Sequence, residues 1–333
     1  MNNITIFKTF KTSILSILFI SNALPAFADK LELHFIDVGQ GDSTLVICPN
    51  GKTILIDAGS KPGPPHEMIR DYLDEQLDRH AHKVDTLVIT HPDIDHFNIL
   101  PDVLGDIPIG KIYMVGKKTD YKDAHFRTWI SKFRPDSIKV LSPGYFDEKD
   151  HPNASINCGA AKVYILSAAV KSKTTKSNFV KNTLSIVLMV RFGTFDVILT
   201  GDATTETEEI ILQRYPHDWL QAEVLKIGHH GSRITSTGDE WTSVVKPEVA
   251  IASAGEKSVH GHPSEEVVKR LEPFTKSAPE HTMVYSSGNR NHYRWHKIEN
   301  YKESIYSTAA SGNIVITSDG QDYKLEEVPY EEQ

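Results

Sequence analysis

His91-Pro92-Asp93-Ile94-Asp95-His96 follows directly on Val84 to Thr90, a short apolar run rich in β-branched residues. Such a run reads as a buried strand that ends at His91. Two imidazoles and two carboxylates within six residues must then converge in one tight loop. Imidazole suits Zn²⁺, and carboxylates add charge and the harder oxygen atoms that suit Mn²⁺. Neighbouring residues of so short a loop point to different sides, so they suit two adjacent ions better than one. Two-metal sites place their ions ~3.5–4 Å apart and clamp the attacking and leaving oxygens of a displacement. A capped loop of satisfied polar groups would leave the further candidate ligands downstream unexplained.

Two later strand ends carry matching chemistry. Leu199-Thr200-Gly201-Asp202 closes the strand Phe195 to Thr200 and offers a carboxylate able to bridge two ions. Gly228-His229-His230-Gly231-Ser232 follows the apolar run Glu223 to Ile227. There one His can ligate a metal while the other meets substrate as an acid or hydrogen-bond donor. No nucleophile elbow, P-loop or dinucleotide-binding glycine motif accompanies them.

The 333 residues hold 36 Lys+Arg against 44 Asp+Glu, a net charge of −8, with 39% hydrophobic residues. That composition excludes a mostly disordered chain and argues against broad nonspecific duplex binding. Lys8 and Lys11, the apolar run Ile14 to Ile20 and Ala26-Phe27-Ala28 describe a secretory signal peptide over residues 1–28. No later segment resembles a membrane span, so the remainder is expected to be exported, periplasmic or secreted. Cys48 and Cys158 either pair or stay as two buried thiols. Residues 29–333 read as one domain in which strands and helices interleave in two halves. Two packed sheets with helices outside satisfy that pattern. Residues 171–181 read as a surface loop, and residues 327–333 as a frayed tail. The runs Met283 to Ser286, Tyr293 to His296, Asn313 to Thr317 and Tyr323 to Glu326 are expected to finish a sheet.

HPDIDH resembles the HxHxDH signature of the metallo-β-lactamase fold, with Asp93 in place of the second His. Leu33 to Val46 (LHFIDVGQGDSTLV) and Ile54 to Gly59 (ILIDAG) look like the opening of that fold. More narrowly, the chain resembles the extracellular metallo-hydrolase domain of ComEC-type competence DNA-uptake proteins. The matches are Asp37 to Asp42, His91 to His96, Asn182 with Ser185, Leu199 to Asp202, His229 to Ser232, Gly261-His262-Pro263 and Gly312 to Gly320. The likeness runs from about Leu31 to Gly320 and leaves out that family's transmembrane channel. It implies an α/β fold, an αββα sandwich of two packed mixed sheets with outer helices.

The resemblance also implies roles. His91 and Asp93 would hold a first ion, Asp95, His96 and His229 a second, and Asp202 would bridge them. His230, the less favoured ligand, joins Asp95, Asn182 and His262 in the catalytic set. Asn182 stands where many members have a His, so one or two Zn or Mn ions are expected, one tight and one loose. Asp42 and Asp57 would orient the metal-binding loop. Asn182 and Ser185 would donate to a phosphate, and His262 would protonate a leaving oxygen. The expected activity is a phosphodiesterase or nuclease, with single-stranded DNA as a candidate partner. Lys171, Lys173, Lys176 and Lys181 would follow its backbone, and Phe179, Trp241 and Tyr285 would stack on its bases. The alternatives are a small-molecule phosphodiesterase of the phosphorylcholine-esterase type and a degenerate, non-catalytic binding protein of the same fold.

Overall fold

Alternation along the strands decides the architecture. In β1 (Leu31–Phe35), β2 (Thr44–Ile47) and β3 (Thr53–Ile56), the side chains of Leu31, Leu33, Phe35, Val46, Ile54 and Ile56 enter one core. Leu45, Ile47 and Leu55, at the alternate positions, enter another. Both faces of the sheet are therefore covered, which is why its strands read as nearly continuous apolar runs.

The structure, a computed structural model, describes residues 30–149, 154–173, 175, 177–256, 258–289 and 292–330. The expected leader (residues 1–28), Lys176 and residues 331–333 lie outside them. After β3 come α1 (His66–Asp78), β4 (Val84–Ile89), α2 (Leu100–Leu104), β5 (Ile109–Met114), α3 (Ala124–Ile130) and β6 (Ile138–Val140). Next are β7 (Ile156–Cys158), β8 (Ala161–Ser167), α4 (Ser177–Asn182), β9 (Val187–Phe192), β10 (Phe195–Leu199) and α5 (Thr205–Arg214). Then follow β11 (Val224–Lys226), α6 (Asp239–Val245), β12 (Val249–Ala252) and α7 (Glu265–Leu271). The last elements are β13 (Ser277–Asn289), β14 (His292–Glu303), β15 (Ile305–Ser307), α8 (Thr308–Ser311), β16 (Asn313–Ser318) and β17 (Tyr323–Val328).

Eight strands form one mixed sheet in the order β17-β16-β1-β2-β3-β4-β5-β6, and seven form the other, β15-β12-β11-β10-β9-β8-β7. The core between them joins Leu33, Val46, Ile54 and Val88 to Val163, Leu188, Val197 and Ile251. α1 buries Ile69, Leu73 and Leu77, spaced four apart, on the outer face of the first sheet beside α2 and α3. Ile211, Trp241, Val245, Val267 and Leu271 of α5, α6 and α7 cover the outer face of the second. This is the expected αββα sandwich.

Three expectations change. β13 and β14 do not finish a large sheet; they form a two-stranded sheet of their own, and the free edge of β12 is taken by the short parallel strand β15. The loop 171–181 turns into α4 from Ser177. Residues 327 and 328 belong to β17, paired to β16, and the Tyr330 hydroxyl donates to the Asp37 carbonyl at 2.9 Å, so the tail is held this far.

Cys48 and Cys158 form a disulfide across 110 residues of sequence, joining the chain after β2 to the edge strand of the other sheet. Cross-links that close long loops restrict the unfolded chain most. The Cys48→Ala/Cys158→Ala variant is expected to lose about 2–5 kcal/mol of unfolding free energy. Urea melts measure this, and coincident curves for variant and parent would contradict it.

Candidate metal centre

The C-terminal ends of β4, β10, β11 and β12 meet at one edge of the sandwich, the usual ligand-binding side of parallel strands. β4 delivers His91, β10 delivers Asp202, and β11 delivers His229 and His230. At this edge the sheets are also joined, because Ile186 N donates to the Thr90 carbonyl at 3.0 Å.

Asp202 is the centre of the cluster. Its Oδ1 lies 3.2 Å from His96 Nε2 and 3.5 Å from His230 Nε2. Its Oδ2 lies 3.6 Å from His229 Nε2 and 3.9 Å from His91 Nε2. His91, His96 and Asp202 each offer an atom within 4.8 Å of the others. The Nε2 atoms of His91, His96 and His230 and the Oδ1 of Asp202 are buried without a hydrogen-bond partner. Buried polar atoms are ordinarily paired, so four that converge without partners fit a divalent ion. Burial and the neighbouring His96 push His91 well below the ordinary imidazole range. Burial would push His96 down too, but the Asp202 and Asp57 carboxylates on either side hold it well above. Burial would raise Asp202, and the rings of His230, His96 and His229 hold it well below the usual carboxylate range.

The surrounding loops fix these directions. Asp57 Oδ1 accepts Thr90 N (2.7 Å), and its Oδ2 accepts Thr90 Oγ1 (2.6 Å) and His96 Nδ1 (2.7 Å). That last bond leaves His96 Nε2 facing Asp202. His230 Nδ1 donates to the Ser253 carbonyl at 2.7 Å, which frees its Nε2 in the same way. The backbone of Gly59 presses on the loop: a Cβ there would sit 2.1 Å from the Asp95 carbonyl carbon. Asp42 N donates to the Asp95 carbonyl at 3.0 Å. Asp42 Oδ2 also meets Lys226 Nζ at 2.6 Å, and both side chains are almost fully buried. Glu208 accepts from Thr237 N (2.5 Å) and Gly238 N (2.9 Å), anchoring the chain after the His pair, and burial raises its carboxyl to about 7.

The sequence reading places His229 with Asp95 and His96, but the structure puts His230 there, 4.0 Å from Asp95 Oδ2. His229 lies instead on the His91 side, with Asn182 Nδ2 3.2 Å from both nitrogens of its ring. His229 (φ 46) and His230 (φ 56) are both left-handed, so consecutive rings turn to the same centre, contrary to ordinary alternation. Asp93 is not drawn into the cluster; it accepts Lys181 Nζ at 2.9 Å in a half-buried pair. The His262 ring lies 5.5 Å from that of His229 and 6.4 Å from that of His230, and its Nδ1 is unpartnered. Burial, with His229 and His230 beside it, holds His262 well below the ordinary imidazole range. Ser185 is fully buried, and its hydroxyl accepts Asp202 N at 3.1 Å instead of facing a ligand. Trp241 is 1% exposed, a core residue and no base platform. Lys226 was missed; its only sequence signal is a lysine ending an apolar strand just before the His pair.

Residues 36–255 match the family described as the Metallo-beta-lactamase superfamily. ComE operon protein 3 of Bacillus subtilis is 27% identical over 77% of this chain and 32% of its own length. Recombination protein 2 of Haemophilus influenzae is 30% identical over 76% of this chain and 28% of its own. Competence protein ComA of Neisseria gonorrhoeae is 29% identical over 71% and 28%. The chain thus spans about a third of the length of these relatives, which bear out the resemblance to ComEC-type competence proteins.

Asp57→Asn keeps the shape of the support but weakens its hold on His96 Nδ1. Its affinity for Mn²⁺ or Zn²⁺ is expected to fall about 10–100-fold. Titration calorimetry checks this, and unchanged affinity would show that Asp57 does not orient the ligand.

Proposed function

The chain belongs to the metallo-β-lactamase superfamily, and from that membership we propose that it is an exported phosphodiesterase using one or two divalent ions, Mn²⁺ or Zn²⁺. The partition of Asp202 carries this reading: one carboxylate oxygen faces His96 and His230, the other His91 and His229. Asp95, His96, His230 and Asp202 Oδ1 would hold one ion, and His91, His229 and Asp202 Oδ2 the other. When bound, such ions supply positive charge against developing phosphoryl oxygens and acidify a water toward neutral pH. The chain's own groups do the rest. Asp57 and the Ser253 carbonyl keep two imidazoles in the tautomer that presents Nε2. Asn182, 3% exposed with an unpartnered Oδ1, offers an amide beside His229 to orient a substrate oxygen. His262, held neutral by burial with His229 and His230 beside it, can accept a hydrogen bond at its unpartnered Nδ1.

Paired ions can clamp both the attacking and the leaving oxygen of an in-line displacement at phosphorus, which is the support for a phosphodiester. Export is supported by the leader pattern and by the disulfide, a bond that persists in oxidising compartments.

A panel of bis(4-nitrophenyl) phosphate, single- and double-stranded DNA, a phosphorylcholine ester and a β-lactam, each with Mn²⁺ or Zn²⁺, tests the activity. Diester hydrolysis that stops in EDTA and falls at least about 100-fold in Asp202→Asn is expected, beyond what losing a supporting residue costs. Full activity in that variant would remove Asp202 from the centre, and β-lactam turnover alone would replace the reading. Intact mass of the exported protein is expected to start at Asp29; retention of residues 1–28 would contradict the leader.

A further inference from the structure

A cavity of about 580 Å³ lies on the outer face of the first sheet, and no residue of the metal centre lines it. Small-molecule sites ordinarily measure ~300–1,000 Å³. Its floor comes from alternate side chains of paired strands, Glu32 and His34 of β1 and Val315 and Thr317 of β16. One flank of α1 forms a wall, where Tyr72, Glu75, Gln76 and Arg79 follow one another at helical spacing. The segment after β17 closes the cavity with Tyr330. Its hydroxyl is fastened to the Asp37 carbonyl, and its ring meets that of Tyr72 edge-on, with centroids 6.5 Å apart. Two buried polar atoms here lack hydrogen-bond partners. Gln76 is 5% exposed, and nothing donates to its Oε1. His34 is 2% exposed; its Nδ1 shares a hydrogen bond with the Tyr72 hydroxyl at 2.8 Å, but its Nε2 has none, with Glu32 Oε2 3.4 Å away. Buried polar groups are ordinarily paired, and an amide oxygen takes only a donor.

Charge narrows the choice of donor. Four carboxylates line the cavity, those of Glu32, Asp71, Glu75 and Glu326, against the single guanidinium of Arg79. Among the described residues, Asp71, Glu75 and Glu326 have no basic side chain within ion-pair distance. Burial raises the Tyr72 phenol above its ordinary value, and Glu75 and Glu32 add to that rise. The carboxylates are spread, not gathered. Among the described residues, three acidic or imidazole side chains come close enough to hold a metal ion only around His96. Spread carboxylates, an unpartnered amide oxygen and two half-buried phenol rings suit an extended organic cation. Its N–H groups can reach the amide while its charge lies among the carboxylates and against the rings.

We propose that this cavity binds a small aliphatic polyamine. One ammonium group donates to Gln76 Oε1, and the rest of the charge lies among Glu32, Glu75 and Glu326. The site is independent of the reading given to the metal centre.

Titration calorimetry of the purified protein with putrescine, at fixed ionic strength, tests this. Saturable binding is expected, weakened about tenfold or more in Gln76→Leu, which keeps the bulk of the side chain but removes the acceptor. Gln76→Glu, which keeps an acceptor, is expected to bind at least as tightly as the parent. Glu299→Gln, an exposed carboxylate on β14, is expected to stay within about twofold, because a distant surface charge is screened. The bis(trimethylammonium) analogue of putrescine carries the same charge but no N–H, and is expected to bind about tenfold more weakly or worse. No saturable binding by the parent would overturn the proposal. Equal binding by Gln76→Leu, equal binding of the quaternary analogue, or a loss in Glu299→Gln as large as that in Gln76→Leu would overturn it as well, by reducing the effect to general attraction toward an acidic chain.

Discussion

The bond between the Asp57 carboxylate and His96 Nδ1 holds the centre together. Asp57 lies just past β3 with φ 58, a backbone conformation that side chains rarely adopt. From there one carboxylate takes three donors: the Thr90 amide, the Thr90 hydroxyl and the His96 ring. This fixes the spacing of the β3 and β4 ends, chooses the tautomer of His96 and aims its Nε2 at Asp202. A buried carboxylate with fewer partners would be costly. Even with three, burial raises the Asp57 carboxyl above its ordinary value. Thr90 also links the sheets through its carbonyl, so the same few atoms set both the sandwich seam and the ligand geometry.

Charge accounts for much of what surrounds that bond. Asp42 and Asp57 both approach His96 Nδ1, at 4.0 Å and 2.7 Å, a concentration of negative charge with almost no access to water. Lys226 answers it from the end of β11, and neither partner of the Asp42–Lys226 pair could be lost without leaving an uncompensated buried charge. On the other side, four imidazoles surround Asp202, and the turn that presents two of them is left-handed at both His229 and His230. Local strain of this kind persists where the surroundings over-determine it. Here the Ser253 carbonyl, Glu208 and the contact between Gly231 and Pro263 do so.

The sandwich was legible because strands buried on both faces leave apolar runs, and the polar motifs that interrupt them mark the strand ends. That His91, His96 and Asp202 come together was legible for the same reason. The order of the two later histidines was not. Alternation assigns adjacent residues to opposite sides, and only the left-handed backbone at His229 and His230 turns both inward. The pair of Asp93 with Lys181 was not legible, because Lys181 comes from α4, in a stretch whose composition reads as loop. The independence of β13 and β14 was hidden because alternation shows which face a strand buries but not which edge it joins. Lys226 escaped notice because the charge that draws it inward, Asp42, lies in the opening motif, far away in sequence.

The central claim is that Asp202 is shared between two groups of imidazoles so that divalent ions can be held beside it. Anomalous diffraction from crystals grown with Mn²⁺, recorded near the manganese edge, tests this directly. The account predicts a peak in contact with Asp202 Oδ1, His96 Nε2 and His230 Nε2, with any second peak at Asp202 Oδ2, His91 and His229. A peak among Asp42, Asp57 and His96 instead, or no anomalous density near Asp202 at saturating metal, would contradict it.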